Sequence, residues 1–308
     1  MYITDNRIVL TLDAGGTNFV FSAMQGYNEI AQPIRLDAVS DSIQGCLDVL
    51  EHGFNLVKEQ LSEEPVAISF AFPGPADYER GIIGDLGNFP AFRGGVAMGP
   101  YLQEKFGIPV YINNDGNLFA YGEALCGMLP EINSRLKELG STKQYKNLIG
   151  YTLGTGFGIG VVIDNNLNRG DNSCVETFCL RHRDMPDVIV EDGVAIRAVC
   201  RVYGEQSGNP DHGLTPKDIC EIADGTREGD QAAAKEAFAS LGRVAGAAIS
   251  TAVTIIDGLV VIGGGVSAAS RWIMGDTIAK GSGQYSIWYR HIEALQVARH
   301  SQKCRHIV

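Results

Sequence analysis

Apolar residues fall in two short blocks near the start of the chain, Ile8 to Leu12 and Phe19 to Met24, separated by Ala14-Gly15-Gly16-Thr17. The pattern predicts a strand, a glycine turn and a second strand. Residues 148–163 (LIGYTLGTGFGIGVVI) repeat the plan, with Gly154-Thr155-Gly156 in the turn. Two such hairpins about half a chain apart point to duplicated halves. Ile43, Leu47, Leu50, Phe54, Val57 and Leu61 recur at steps of three and four and predict one helical face. Val66 to Phe72 reads as a strand stopped by Pro73-Gly74-Pro75, and residues 109–114 as a short strand ending at Asn114-Asp115-Gly116. A helix is predicted over Leu118 to Met128, followed by an exposed polar link or helix edge over 131–147. In the second half, Val190 to Tyr203 and Gln231 to Ile256 read as helices. Leu259 to Ile262 reads as a buried strand running into Gly263-Gly264-Gly265, and the tail from Trp288 as a solvated final helix. Strands alternating with helices in both halves predict an α/β fold.

A length of 308 residues suggests about two domains, and 45% hydrophobic residues exclude long disorder. Lys+Arg 25 against Asp+Glu 36 gives a net charge of −11. Such a chain is a poor non-specific ligand for nucleic acid or anionic membrane. A small anion can still bind through backbone N–H groups. No run of about 18 apolar residues is present, so no transmembrane helix is expected. The short polar start, Met1 to Arg7, does not read as a signal peptide. Seven cysteines at irregular spacing, without a Cys-x-x-Cys pair, predict a reduced, cytoplasmic chain with mostly buried thiols.

The glycine turns carry the candidate chemistry. Asp13-x-Gly15-Gly16-Thr17-Asn18 follows a strand. Its glycines let backbone N–H groups approach an anion, and Thr17 adds a hydroxyl donor. Asp13 at the strand end could hold a hydrated Mg²⁺ beside phosphates. The alternative is a plain hairpin turn with a capping Asp. Gly154-Thr155-Gly156 lacks the Rossmann spacing and the Gly-Lys-Ser/Thr ending of a P-loop. Together, two such hairpins and the Gly263–Gly265 run suit one nucleotide gripped from two domains. Asp115, at a strand end before a helix, could accept a proton from a substrate hydroxyl. The alternative there is an ordinary Asp-Gly turn.

In combination, these motifs resemble the ROK family of sugar kinases and repressors, within the actin-like, hexokinase-like ATPase superfamily. The resemblance runs from about residue 8 to residue 270. Asp13 to Asn18 matches the first phosphate motif, Leu153 to Gly160 the second, and Val261 to Ser267 the adenosine motif. Phe72 to Pro75, Asn88-Phe89-Pro90, Asn114 to Asn117 and Gly122-Glu123 match sugar-side segments. The resemblance implies two actin-like (ribonuclease H-like) domains flanking a nucleotide/sugar cleft. Residues 1–117, completed by a C-terminal helix over 288–308, would form one domain and residues 118–287 the other. It implies nucleotide and phosphate contacts from Asp13, Gly15, Gly16, Thr17, Asn18, Gly154, Thr155, Gly156, Gly264 and Gly265. Asp115 matches the general base, and Gly74, Asn88, Asn114, Glu176 and Glu191 match sugar-binding positions.

The chain departs from the family at its zinc site. That site uses the His of a Gly-Glu-Ile-Gly-His segment and three cysteines of Cys-x-Cys-Gly-x-x-Gly-Cys. Cys179 stands at the His position, and residues 180–190 contain no cysteine. A four-ligand structural site cannot be completed, so no zinc is expected. The missing His is also a sugar contact in relatives, and His182, three residues along, reads as a surface residue.

The resulting expectation is an ATP-dependent hexose kinase using Mg²⁺, acting at the C6 hydroxyl of glucose or an N-acetylhexosamine, with fructose and a polyphosphate donor left open. Hexose and ATP are the expected partners, with no nucleic acid or membrane, and the resemblance makes a homodimer plausible. The alternatives are a sugar-responsive transcriptional regulator and a catalytically inactive sugar-binding protein. A first strand near Ile8 is expected to leave no room for the regulators' N-terminal helix-turn-helix domain.

Overall fold

The computed structural model describes residues 5–15, 17–39, 41–86 and 90–273. Gly16, Asn88 and Phe89, and the helix expected over 288–308, lie outside the described residues. The chain divides into two compact units. The first contains residues up to Leu118 together with Arg169–Cys174, and the second contains Phe119–Asn168 and the chain from Val175.

In the first unit, β1 (Ile8–Ala14), β2 (Asn18–Gln25), β3 (Asn28–Glu29) and β4 (Ile34–Asp37) precede helix α1 (Ile43–Lys58). Then come β5 (Ala67–Ala71), the small hairpin β6 (Ala76–Asp77) and β7 (Ile82–Ile83), α2 (Met98–Phe106), β8 (Val110–Asn113) and the start of α3 (Asp115–Leu125). The main sheet runs β3-β2-β1-β5-β8, with β4 also pairing with β2. β1 is antiparallel to β2 but parallel to β5, and β5 is parallel to β8. As a central strand, β1 buries consecutive residues Leu10, Thr11 and Leu12 instead of alternating. Ser42 caps α1 by accepting from the Gly45 N–H at 3.1 Å. Of the face read from spacing, Leu47, Leu50, Phe54 and Val57 are buried together with Cys46, whereas Ile43 is half-buried and Leu61 lies half-buried beyond the end of α1. Phe54 meets Phe21 edge-to-face at 5.1 Å.

The second unit holds the rest of α3, then α4 (Met128–Glu138), β9 (Leu148–Leu153), β10 (Phe157–Ile163) and β11 (Asn166–Asn168). Helices α5 (Glu191–Val194), α6 (Ile196–Ser207), α7 (Pro216–Ala223) and α8 (Gln231–Ile256) follow, then β12 (Leu259–Gly263) and α9 (Ser270–Ile273). The sheet order is β11-β10-β9-β12. Ile149, Tyr151 and Leu153 of β9 pack with Leu241, Ala245 and Ala248 of α8 on one face. Leu148, Val162 and Val261 pack with Ala120 and Ala124 of α3 on the other.

The structure departs from the sequence expectations at several points. Where an exposed link or helix edge was expected, a second helix, α4, runs to Glu138, and the buried Glu123 carboxylate accepts the N–H of its first residue, Met128, at 2.8 Å. The helix expected over Val190 to Tyr203 is broken at Ala195, whose ψ is 166°. There the Ile196 N–H leaves the helical pattern and donates to Gly154 O at 2.9 Å. Among the described residues, α8 is long and apolar enough to span a membrane, although no such helix was expected. Its small residues, Ala233, Ala237, Gly242, Ala245 and Ala248, are instead buried in the core of its unit. The thiols are less buried than expected: Cys46 is fully buried, its thiol pushed up to about 11, whereas Cys174 and Cys179 are exposed.

Candidate active site

Register brings the sugar-side and first-phosphate residues of the first unit to one sheet edge. Asp13 of β1 is paired with Ala71 of β5, and Ala71 with Asn113 of β8. The carboxyl ends of three parallel strands therefore carry Asp13, the Phe72–Pro75 turn and Asn113-Asn114-Asp115 side by side. That edge is where open α/β sheets bind ligands.

Asp13 is exposed at the strand end, and no described residue pairs with its carboxylate. Behind it, the Gly15 N–H donates to Asn18 O at 3.0 Å, closing the first turn. The Asn18 amide donates one of its two N–H groups to Thr17 Oγ1 at 3.0 Å within the turn, while Thr17 stays exposed. The Phe72–Pro75 turn is held by the buried Tyr78, whose hydroxyl donates to Phe72 O at 3.0 Å.

Asn114 is the N-cap of α3. Its Oδ1 accepts the N–H of Gly116 at 2.8 Å and of Asn117 at 3.4 Å. This cap starts the helix at Asp115, three residues earlier than expected. Asn113 Oδ1 accepts from the Asn114 N–H and from Asn117 Nδ2, which stiffens the corner further. Asp115 is thus fixed on the first helical residue and exposed, with Oδ1 accepting the Gly116 N–H at 2.9 Å. With its oxygen committed to the cap, Asn114 has its NH₂ group left to offer a ligand. Asn114→Ala should lower stability by about 1 kcal/mol, the usual worth of an N-cap. Asn114→Ser should keep the cap and the melting temperature, so that any change in ligand affinity reports the amide alone.

In the second unit, Gly154-Thr155-Gly156 closes the β9–β10 hairpin through a Gly154 N–H to Gly156 O bond of 3.1 Å. β12 lies parallel beside β9, with Gly263 opposite Thr152, so Gly264 and Gly265 emerge at the same sheet end as this turn. Gly264 has φ +87°, and a Cβ there would lie 2.4 Å from Leu153 O. Only glycine fits a backbone so close to the end of β9. Around Gly154 and Gly265 there is open space, as approach by a ligand requires.

Glu191 reaches this turn. Its Oε2 accepts the Phe157 N–H at 3.1 Å, and its Oε1 pairs with Arg197 Nη2 at 3.1 Å. Arg197 also binds Asp192 Oδ1 at 2.9 Å, which holds the Asp192 carboxyl below its usual range. The family resemblance implies only a sugar-side position for Glu191; its grip on the second hairpin links residues 34 apart and has no local signal. Glu176 is half-buried in an irregular stretch before Cys179.

His182 is not a surface residue: it is 5% exposed. Its Nδ1 accepts the N–H groups of Asp184 and Met185 at 3.2 and 3.1 Å. That lone pair is already used, so the ring does not suit a metal. Cys179 is exposed, and no group of three or more His, Cys, Asp or Glu among the described residues could hold an ion. The donor set therefore does not fit a structural zinc.

Residues 9–178 match the model of the ROK family. The chain belongs to the ROK family. It is similar to a glucokinase from Parabacteroides distasonis ATCC 8503, with 61% identity and a TM-score of 0.87, covering 92% of this chain and 79% of that one. A glucokinase from Streptomyces coelicolor is 23% identical over 91% of this chain and 88% of its own length. A xylose repressor from Bacillus spizizenii is 41% identical over 70 residues, 23% of this chain and 15% of the repressor. The ROK family chain therefore spans only a small part of that repressor's length. Its fold is the two-domain actin-like fold of ROK kinases.

Proposed function

We propose that this ROK family chain is an ATP-dependent sugar kinase that phosphorylates glucose or an N-acetylhexosamine at the C6 hydroxyl. The observation that carries the reading is Asp115, fixed on the first residue of a capped helix at the sheet edge that also bears Asp13. Asp115 takes the proton of the sugar hydroxyl as its oxygen attacks the γ-phosphorus in line, and ADP leaves. The Asn114 NH₂, Asn88, the Gly74 backbone, Glu176 and Glu191 hold the sugar. The Gly15 and Gly154 N–H groups close their turns, so the backbone N–H groups of Thr17, Thr155 and Gly156 cradle the phosphates, and Gly264-Gly265 takes the adenosine. The exposed Asp13 carboxylate suits a Mg²⁺ ion that keeps most of its waters. When bound, Mg²⁺ neutralises phosphate charge. Similarity to the glucokinases supports the activity class. The same reading places the protein in the cytoplasm as a homodimer, which light scattering would test, with neither nucleic acid nor membrane as a partner.

A coupled ADP-release screen over glucose, GlcNAc, ManNAc, mannose and fructose, with ATP or polyphosphate as donor, tests the proposal. Turnover of glucose or an N-acetylhexosamine with ATP is expected; no turnover of any sugar would overturn it. The repressor similarity supports a competing reading as a sugar-responsive regulator. Sugar-dependent binding to a defined DNA sequence without ADP release would favour that reading, which the net charge of −11 disfavours.

We also propose that the protein works without zinc. Elemental analysis should find no stoichiometric zinc. EDTA followed by excess Mg²⁺ should leave activity and melting temperature unchanged. One tightly held zinc per chain would refute this.

A further inference from the structure

Residues 180–190 form a small hairpin. The Val190 N–H donates to Leu180 O at 2.8 Å, the His182 N–H donates to Val188 O at 3.0 Å, and Arg181 bridges Ile189. Its loop, 183–187, is polar apart from Met185 and Pro186 and has little core of its own. The buried His182 ring organises it from within. Nδ1 takes the two N–H groups of Asp184 and Met185, which only a neutral ring protonated on Nε2 can do. The Nε2 edge of the ring lies against Gly193, where a Cβ would come within 2.5 Å of it. Glu191 begins the helix immediately after the hairpin, and its carboxylate holds the Phe157 N–H of the second glycine turn. Gly154 is tied to the same segment through the Ile196 N–H.

We propose that His182 is the positioning residue of Glu191 and, through it, of the Gly154–Phe157 turn, its neutral imidazole stapling a loop whose donor set does not fit a metal. The catalytic consequence rests on the kinase reading above; the staple itself does not. Desolvation holds the His182 pKa below its ordinary value, the pull expected of a buried ring. The charged groups facing it are Asp184 and Asp192, which favour its protonation, and Arg183 and Arg201, which oppose it. Because the folded pKa is depressed, the staple's contribution is complete above the unfolded value of about 6.5 and is lost as pH falls through the folded value.

Three substitutions separate the roles. Asn carries an acceptor at about the position of Nδ1, Gln carries one nearer Nε2, and Leu carries none. In full-length protein, His182→Leu and His182→Gln should raise the KM for ATP roughly tenfold with a smaller change in kcat, the scale of losing buried acceptors. His182→Asn should restore it. In wild-type protein, ¹⁵N NMR of the ring should show the Nε2–H tautomer with a titration midpoint below about 6.5. The melting temperature should fall on acidification in wild type, and fall less in His182→Asn. Should His182→Leu fail to fold, Gly193→Ala, which displaces the ring, should shift the ring resonances and raise the ATP KM in the same direction. An Nδ1–H tautomer, or identical pH profiles of melting for wild type and His182→Asn, would overturn the staple. An unchanged ATP KM in folded His182→Leu or Gly193→Ala would overturn its positioning role. If wild type releases no ADP with any sugar, the kinase reading fails, while the NMR and melting measurements still judge the staple.

Discussion

Asp115→Asn is expected to lower kcat by roughly 10²–10⁴-fold, the usual worth of a positioned general base. The substitution is nearly isosteric. Its amide oxygen can still accept the Gly116 N–H that Asp115 Oδ1 accepts at 2.9 Å, so the start of α3 should stay intact. What is lost is the oxygen able to take a proton. The Asn114 cap and the Asn113–Asn117 bond do not involve that oxygen. Melting temperature should therefore change little, and sugar KM less than kcat. Steady-state kinetics with thermal melting measures both. A folded Asp115→Asn protein that keeps most of its turnover would remove Asp115 from the mechanism.

Gly156→Val is expected to raise the KM for ATP by roughly ten- to a hundredfold. A Cβ on Gly156 would lie 2.9 Å from Glu191 Oε2, the atom that accepts the Phe157 N–H. A branched side chain must push the carboxylate away and break that bond. Hydrogen bonds to charged groups are worth about 1.5–3 kcal/mol, and each 1.4 kcal/mol is about tenfold in affinity. The same displacement disturbs the Glu191–Arg197 pair, but that pair is half-exposed and adds little. The test is ATP and sugar KM measured side by side. Unchanged ATP kinetics in a folded variant would show that this turn does not touch nucleotide.

Helix and strand identity was readable wherever the signal was local. The α1 face, both glycine hairpins, β5, β8 and β12 lie within a residue or two of where periodicity and turn chemistry put them. The boundaries that moved did so through hydrogen bonds. Asn114 starts α3 early, Glu123 starts α4, and the Gly154 carbonyl interrupts the helix after Val194. The first two bonds span five residues or fewer, and a sharper reading of caps could have found them. The third joins residues 154 and 196, which no window along the chain connects.

The sequence by itself determined the α/β class, the glycine turns after strands, and which carboxylates and amides stand at strand ends. Those features follow from side-chain period and from the freedom of glycine, and both act within a few residues. Only the tertiary structure decided which of these residues meet. Strand register set Asp13, the Phe72–Pro75 turn and Asp115 along one edge, and it set Gly264 against the end of β9. Packing turned an apolar 26-residue helix into a core element and a lone histidine into a buried acceptor for two N–H groups. It also carried Glu191 from a position in a motif to a hydrogen bond on the second glycine turn. The two N–H bonds to His182 span only two and three residues, but its burial, like the strand register and the Glu191 bond, depends on contacts between residues far apart in the chain, whose free energy no local pattern encodes.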